Sequence, residues 1–309
     1  MAGGSVAGSS VGGDGVVIGI HGLANKPPEE EKARWWLAAM REGLQRNLSA
    51  IPAPFAFSFV YWANLRYDAP LDAGRNREPY RPDPGLGAFP HFEDAPSAVA
   101  LSLTDRLYRL IDRLQEKTGS MPVDDLILEH RLDDLWGYYE DARFRDAARG
   151  RLRETLERHA GERILIAGHS MGGLIAYDVL RLMERDGWGR GEPPVAHLVT
   201  LGAPLGLAEV KQKLRAEHGA LRVPDTVGAW THLVDHRDVA TVGDDVSGIY
   251  EASARGARAR TVSVLNAYRS PSGKENVHKS YGYLRTPEFS RALAAFLETE
   301  PAIAAAAES

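Results

Sequence analysis

The amino-acid sequence predicts an α/β fold, in which a mostly parallel β-sheet is flanked by helices on both faces. Two patterns in the 309 residues predict this class. Short runs rich in Val, Ile, Leu and aromatic residues alternate with longer segments whose apolar residues recur at helical spacing. The short runs are also apolar almost throughout, which is typical of strands that are covered on both faces. A chain of this length can bury a substantial core in one such domain.

The first predicted strand, residues 15–20, leads through a loop into an amphipathic helix at about 28–48. In this helix Trp36, Met40 and Leu44 recur every four residues among charged side chains. Further strands are expected at residues 55–63, 161–167, 195–204, 229–235 and 260–266. Further helices are expected at residues 141–159, from the end of the third strand to Gly187, and at 287–298.

Residues 64–140 interrupt this alternation of strands and helices. The segment opens with a stretch rich in Pro, Gly and charged residues, which is typical of loops. It continues with an apolar stripe at helical spacing, formed by Leu103, Leu107, Leu110, Ile111 and Leu114. We expect an insertion that either caps a functional site as a helical lid or only decorates the domain.

The remaining composition divides the chain into three parts. Residues 1–15 are rich in Gly and Ser, lack the basic and apolar regions of a signal peptide, and are expected to form a flexible leader. Residues 16–300 are expected to form a single α/β domain that carries the insertion. Residues 301–309 have the composition of a frayed tail.

Charge and cysteine content exclude several classes of function. A net charge of −5 and a pI near 6.1 argue against a surface for nucleic acid or for anionic membranes. The chain has no cysteine, which excludes disulfides, thiolate metal sites and cysteine nucleophiles.

No apolar run approaches the roughly 20 residues of a transmembrane helix. Without a signal peptide or cysteines, the protein is expected to be cytoplasmic.

One polar residue lies between two apolar segments, in the stretch RILIAGHSMGGLIAYDVL. The pentapeptide from Gly168 to Gly172 follows a predicted strand, opens a predicted helix and has the pattern G-x-S-x-G around Ser170. In a nucleophile elbow the serine has a strained backbone, and the residues two before and two after it must be small. The pattern therefore predicts a nucleophile at this turn, with an ordinary Gly-rich turn as the alternative.

On these residues the chain resembles the α/β-hydrolase family, and in particular its serine esterases and lipases, over about residues 16–298. A second point of similarity is His21-Gly22-Leu23, directly after the first strand, and a third is LVTLGAPLGL around the fourth. The resemblance implies that the backbone N–H groups of Leu23 and Met171 form an oxyanion hole.

The resemblance also implies a catalytic triad in the chain order Ser, Asp, His, because a serine hydroxyl needs a base that a carboxylate orients. His278, in a loop after the sixth strand, is the expected base. Asp238 is the expected acid, because acids of the family commonly precede a short apolar pair. Asp235 remains an alternative acid, and Asp244 and Asp245 lie further along the chain.

These residues together predict a serine hydrolase that cleaves carboxylic esters through an acyl-enzyme intermediate, with a small-molecule or lipid ester as substrate. Neither a metal nor an organic cofactor is expected. A thioesterase or acyltransferase of the same fold is the nearest alternative, and a non-catalytic scaffold is the alternative from another class. His21, His169 and Asp178 are expected to have structural roles.

Overall fold

The computed structural model of the protein describes residues 15–49, 54–73, 77–82, 85, 87–94, 135–241 and 245–298. The strands in these ranges are β1 (Gly15–Ile20), β2 (Ala56–Val60), β3 (Arg163–His169), β4 (Val195–Leu201), β5 (Val227–Val234) and β6 (Ala259–Ser263). The α-helices are α1 (Glu29–Leu48), α2 (Ala142–Arg158), α3 (Met171–Arg185), α4 (Ala208–His218), α5 (Val246–Ile249), α6 (Ser280–Leu284) and α7 (Pro287–Glu298). A helical segment at 135–140 precedes α2.

The strands form one six-stranded sheet in the order β2-β1-β3-β4-β5-β6, and every pair is parallel. The predicted α/β class with a parallel sheet is therefore confirmed. After β1 the chain adds β2 on one side, and then crosses back to place β3 on the other side of β1. The connections that leave β1 and β3 thus diverge at the carboxyl edge, which creates a crevice where open α/β sheets bind ligands.

Alternate side chains of the same strands enter two hydrophobic layers, one on each face of the sheet. Val16 and Ile164 lie in the layer that includes apolar residues of α2 and α3, whereas Val17 and Leu165 lie in the layer that includes residues of α1 and α7. All four side chains are fully buried. Coverage of both faces explains why the strands are apolar almost throughout instead of alternating with polar residues.

The predicted strands are all present, with boundaries shifted by up to three residues. β2, β4 and β6 each end three residues before the predicted position. β2 stops at Val60 although the apolar pattern continues to Ala63. The cause is a tertiary contact, because the backbone N–H of Trp62 donates to Nε2 of His21 at 3.0 Å instead of to a neighbouring strand. Ala63 then begins a 3-10 turn.

Helices α4, α5 and α6 were not predicted from the sequence. Helix α4 buries only Val210, Leu214 and His218, which is too few apolar residues for a clear helical period. Helices α5 and α6 have four and five residues, which is too short for any period to appear. The predicted apolar stripe from Leu103 to Leu114 lies outside the described residues. Among the helices of the described ranges, none has the length and hydrophobicity needed to cross a bilayer.

Candidate active site

Ser170 occupies a strained turn between the end of β3 and the start of α3. Its φ of 55° and ψ of −126° lie in a region that non-glycine residues rarely adopt, at a typical cost of roughly 1–3 kcal/mol. Two backbone hydrogen bonds of 2.9 Å hold this conformation: the N–H of Ser170 donates to the carbonyl of Leu201, and the N–H of Gly173 donates to the carbonyl of Ser170. The turn therefore has the backbone geometry that the G-x-S-x-G pattern predicted.

Three glycines allow the chain to pack closely around this serine. A Cβ atom at Gly172 would lie 2.4 Å from the carbonyl oxygen of Ile20, and one at Gly168 would lie 2.8 Å from the Cα of Gly173. A Cβ atom at Gly22 would lie 2.6 Å from the Cβ of Ser170 itself. Real Cβ atoms do not approach this closely, so the turn and the loop after β1 can meet only because these positions lack side chains.

The structure brings Ser170, His278 and Asp238 into one hydrogen-bonded chain. Nε2 of His278 lies 3.1 Å from Oγ of Ser170, and Nδ1 of His278 lies 2.7 Å and 2.9 Å from the two carboxylate oxygens of Asp238. Because a carboxylate accepts hydrogen bonds, Nδ1 carries a proton and Nε2 is left to accept one from the serine. The three residues are 40 to 108 positions apart in the sequence.

Asp238 is buried and its carboxylate is fixed by further donors. It is 1 % exposed, the hydroxyl of Tyr283 donates to Oδ2 at 2.8 Å, and the N–H of Ala240 donates to Oδ1 at 3.1 Å. Burial and the neighbouring Asp238 raise the pKa of Tyr283, so that this phenol keeps the proton it donates. The acid is therefore held in a fixed orientation toward His278.

The structure does not place the alternative acid, Asp235, against His278. The carboxylate of Asp235 pairs with the guanidinium of Arg237 at 2.6 Å and accepts the N–H of Asn266 at 2.7 Å. The contact with Asn266 joins the end of β5, where Asp235 lies, to the loop that follows β6. Asp245 caps helix α5 by accepting the N–H of Ser247 at 3.1 Å, and Asp244 lies outside the described residues.

The two predicted oxyanion donors belong to the two segments that meet at Ser170. Met171 is the first residue of α3, where backbone N–H groups have no acceptor within the helix, and Leu23 follows Gly22, the residue that approaches the serine. The ammonium group of Lys26 donates to the carbonyls of Leu23 and Ala24, the latter at 2.8 Å. Lys26 therefore fixes the peptide groups of this loop, in which Ala24 has a φ of 68°.

His169, the neighbour of Ser170, forms a hydrogen bond to the backbone of the predicted base, His278. Its Nε2 lies 2.8 Å from the backbone carbonyl of His278, and since a carbonyl only accepts, the Nε2 of His169 is protonated. Burial and the nearby His278 lower the pKa of His169 well below its usual value, so that the ring is neutral. The expectation of a structural role for His169 agrees with these contacts.

His21 has an equally structural position at the end of β1. Its Nδ1 donates to the carbonyl of Gly22 at 2.8 Å, while its Nε2 accepts the N–H of Trp62. The indole N–H of Trp62 returns a bond of 2.9 Å to the carbonyl of His21. Burial, together with the charge of Lys26, lowers the pKa of His21 well below its usual value. The ring is therefore neutral and joins the ends of β1 and β2.

A cavity of about 290 Å³ opens beside this arrangement. Its walls come from the loop after β1, from α1, from Tyr67 and from the loop that carries His278. Ionisable and amide side chains dominate its polar lining, and they are His21, Asn25, Lys26, Lys32, Tyr67, His169, Asn276, His278 and Lys279. The sequence analysis did not predict the lysines, because positions 26, 32 and 279 share no motif.

A second cluster of ionisable groups lies around Asp178 on α3. Ligand atoms of Asp178, Glu217 and His218 lie within 4.8 Å of one another, which is close enough to hold a metal ion. However, the guanidinium of Arg149 already binds Asp178 at 2.7 Å and Glu217 at 2.6 Å, and the hydroxyl of Tyr138 donates to Asp178 at 2.6 Å. An arginine thus supplies the positive charge in this cluster. The contacts join α2, α3 and α4, which agrees with the structural role expected for Asp178.

No protein-family model matches the sequence. No curated protein matches it at a significant level either. The site places a hydroxyl, an imidazole and a buried carboxylate in hydrogen-bonded order at the edge of a parallel sheet. Such an arrangement can activate an oxygen nucleophile.

Proposed function

We propose that the protein is a serine hydrolase of the α/β-hydrolase type that cleaves carboxylic esters through an acyl-enzyme intermediate. The observation that carries this proposal is the hydrogen-bonded chain from Ser170 through His278 to Asp238, which starts at a strained serine. A strained backbone persists only where the surrounding structure over-determines it, and such strain concentrates at functional sites. The position at the crevice between β1 and β3 agrees with the general location of ligand sites in such sheets.

In the proposed reaction, Oγ of Ser170 attacks the acyl carbonyl while its proton passes to Nε2 of His278. Asp238 stabilises the resulting imidazolium. The carbonyl oxygen, now an anion, is bound by the N–H groups of Leu23 and Met171, each worth on the order of 3 kcal/mol. His278 then returns the proton to the leaving alcohol as the C–O bond breaks, and water releases the acyl group by the same steps in reverse.

The first test is covalent labelling with a fluorophosphonate, which reacts with activated serines. The wild-type protein is expected to be labelled, and Ser170→Ala should abolish the labelling, because only an activated serine hydroxyl attacks phosphorus at a useful rate. Ser272→Ala is a matched control, since Ser272 lies in an exposed loop. Labelling of the Ser170→Ala protein equal to that of wild type, or no labelling of wild type, would contradict the proposal.

The second measurement distinguishes the ester from the thioester reaction. Wild-type kcat/KM is measured with 4-nitrophenyl esters of short and long acyl chains and with acyl-CoA thioesters. Ester cleavage should exceed thioester cleavage and should fall by a factor of about 10³ or more in Ser170→Ala. A preference for acyl-CoA would keep the nucleophile but reassign the substrate class to thioesters.

A further inference from the structure

The cavity beside His278 has an unusual charge for a protein whose net charge is negative. Among the described residues that line it, three are lysines and none is aspartate or glutamate. The same cavity is lined by Leu23 and His278, which belong to the proposed catalytic arrangement. A group bound there would therefore lie next to the proposed base, His278.

Lys32 is the most informative of these lysines because it is buried. It lies on α1, is 3 % exposed and donates to the hydroxyl of Tyr281 at 2.9 Å, with its Nζ 4.2 Å above the centre of the same ring. Burial and the charges of Lys279 and Lys26 lower its pKa well below the usual value. A buried ammonium group is costly unless a negative charge compensates it, and its phenol partner is neutral.

The two carboxylates near Lys32 are each paired with another cation. Glu78 forms an ion pair of 2.8 Å with Lys279, and its negative charge also acts to raise the pKa of Lys32. Glu31, the other carboxylate close to Tyr281, is held at 3.1 Å by Arg77. Within the described part of the chain, no ion pair joins the buried Lys32 to a carboxylate, and its hydrogen-bond acceptor is the phenol of Tyr281.

We propose that this cavity binds an anionic group of the ester substrate, a carboxylate or a phosphate, through Lys32, Lys279 and Lys26. The inference rests on the proposed function and specifies its substrate class. An anionic group would compensate the buried ammonium of Lys32, and ammonium groups form strong charge-assisted hydrogen bonds to carboxylate and phosphate oxygens. The volume of about 290 Å³ is at the lower end of small-ligand sites, which suits a compact charged group.

The test compares esters that differ by one charge. The carboxylate pair is 4-nitrophenyl pentanoate and 4-nitrophenyl hydrogen glutarate. The phosphate pair is butanoyl glycerol and butanoyl glycerol phosphate. In at least one pair the anionic ester should have a kcat/KM about tenfold or more above its neutral partner, and the pair with the larger ratio identifies the anion. Ratios near one in both pairs would overturn the inference.

Lys32→Met removes the buried charge while keeping the length of the side chain. In this variant the ratio of anionic to neutral kcat/KM should fall by about tenfold, because one charge-assisted contact is lost. Lys211→Met is the matched control, since it makes the same change on α4, outside the cavity lining, and should keep the wild-type ratio. An unchanged ratio in Lys32→Met, or an equal fall in Lys211→Met, would contradict the assignment.

A binding measurement separates this inference from the proposed function. Calorimetric titration of Ser170→Ala with inorganic phosphate and with glutarate reports on the cavity without any chemical step. Binding that weakens in the Ser170→Ala, Lys32→Met double variant supports the anion site even if no ester is cleaved. Cleavage of neutral esters without any anion binding would leave the hydrolase and reject the anion site.

Discussion

Two aspartates three positions apart illustrate how environment assigns a role to a residue. Asp238 points its carboxylate at His278, whereas Asp235 is taken up by Arg237 and by the backbone of Asn266. Both residues are almost fully buried. Their side chains are chemically identical, so only their partners decide which one can orient an imidazole.

We expect Asp238→Asn to lower kcat for ester cleavage by a factor of about 10³–10⁴ with little change in KM. An amide at this position favours the wrong histidine tautomer and does not stabilise the imidazolium. Asp235→Asn should lower stability instead, because it removes a buried partner of Arg237. Steady-state kinetics and urea unfolding of both variants distinguish the two effects. If Asp235→Asn had the larger effect on kcat, the acid would be reassigned.

At the scale of elements, a buried ionic network connects three helices on one face of the sheet. Arg149 of α2 binds Asp178 of α3 and Glu217 of α4, and His218 adds a contact of 2.7 Å to Asp178. Asp178 is completely inaccessible to solvent. Since burying these charges is costly, the network contributes by fixing the positions of three helices more than by net stabilisation.

We expect Arg149→Met to lower the free energy of unfolding by about 3 kcal/mol or more, because Asp178 then keeps a buried charge without its cation. Arg153→Met is the control on the same helix. Arg153 is 43 % exposed and pairs with Glu157 and Asp186, so its removal should cost at most about 1 kcal/mol. Urea unfolding measures both values. Equal losses would mean that the network has no special role.

Among the strands, helices and turns, the sequence predicted those that a local pattern specifies. The strands of the sheet, helices α1, α2 and α7, and the turn at Ser170 each have a clear period or motif, and the structure contains all of them. Local pattern did not predict the end of β2, where His21 captures the N–H of Trp62. Long-range contacts of this kind are not visible in a window of neighbouring residues.

The residues of the candidate site also differ in whether the local sequence could predict them. Ser170 and His278 follow from a motif and from chain order, but the choice between Asp238 and Asp235 depends on contacts with Tyr283 and Arg237 that join distant segments. The cavity lysines depend on tertiary structure altogether, because α1 and the loop at 279 meet only in the folded protein.

At the scale of the whole molecule, neutral histidines in buried or half-buried positions predict sensitivity to acid. Burial lowers the pKa of His21 and His169 well below 6.5, and lowers that of His197 to about 4. Below pH 6.5 the unfolded chain takes up protons at these rings, whereas the folded protein does not. Because the unfolded state then binds more protons, the free energy of unfolding falls as the pH decreases.

We therefore expect stability to decrease from about pH 6.5 toward pH 4, by at most about 1.4 kcal/mol per pH unit for each of these histidines. Urea unfolding at several pH values measures the slope, and His197→Gln should reduce it by the share of one ring. Leu198→Ala, a buried apolar change in the same strand, should lower stability at every pH and keep the slope. A slope that His197→Gln leaves unchanged would contradict this origin.

The bond from His169 to the carbonyl of His278 has a mechanical consequence. His169 is joined by a single peptide link to Ser170, so the segment that bears the imidazole is anchored to the immediate neighbour of the hydroxyl it serves. In the proposed reaction, this link would move the hydroxyl and the imidazole together when the segment shifts. It would thereby keep the donor and the acceptor of the proton at a nearly constant separation.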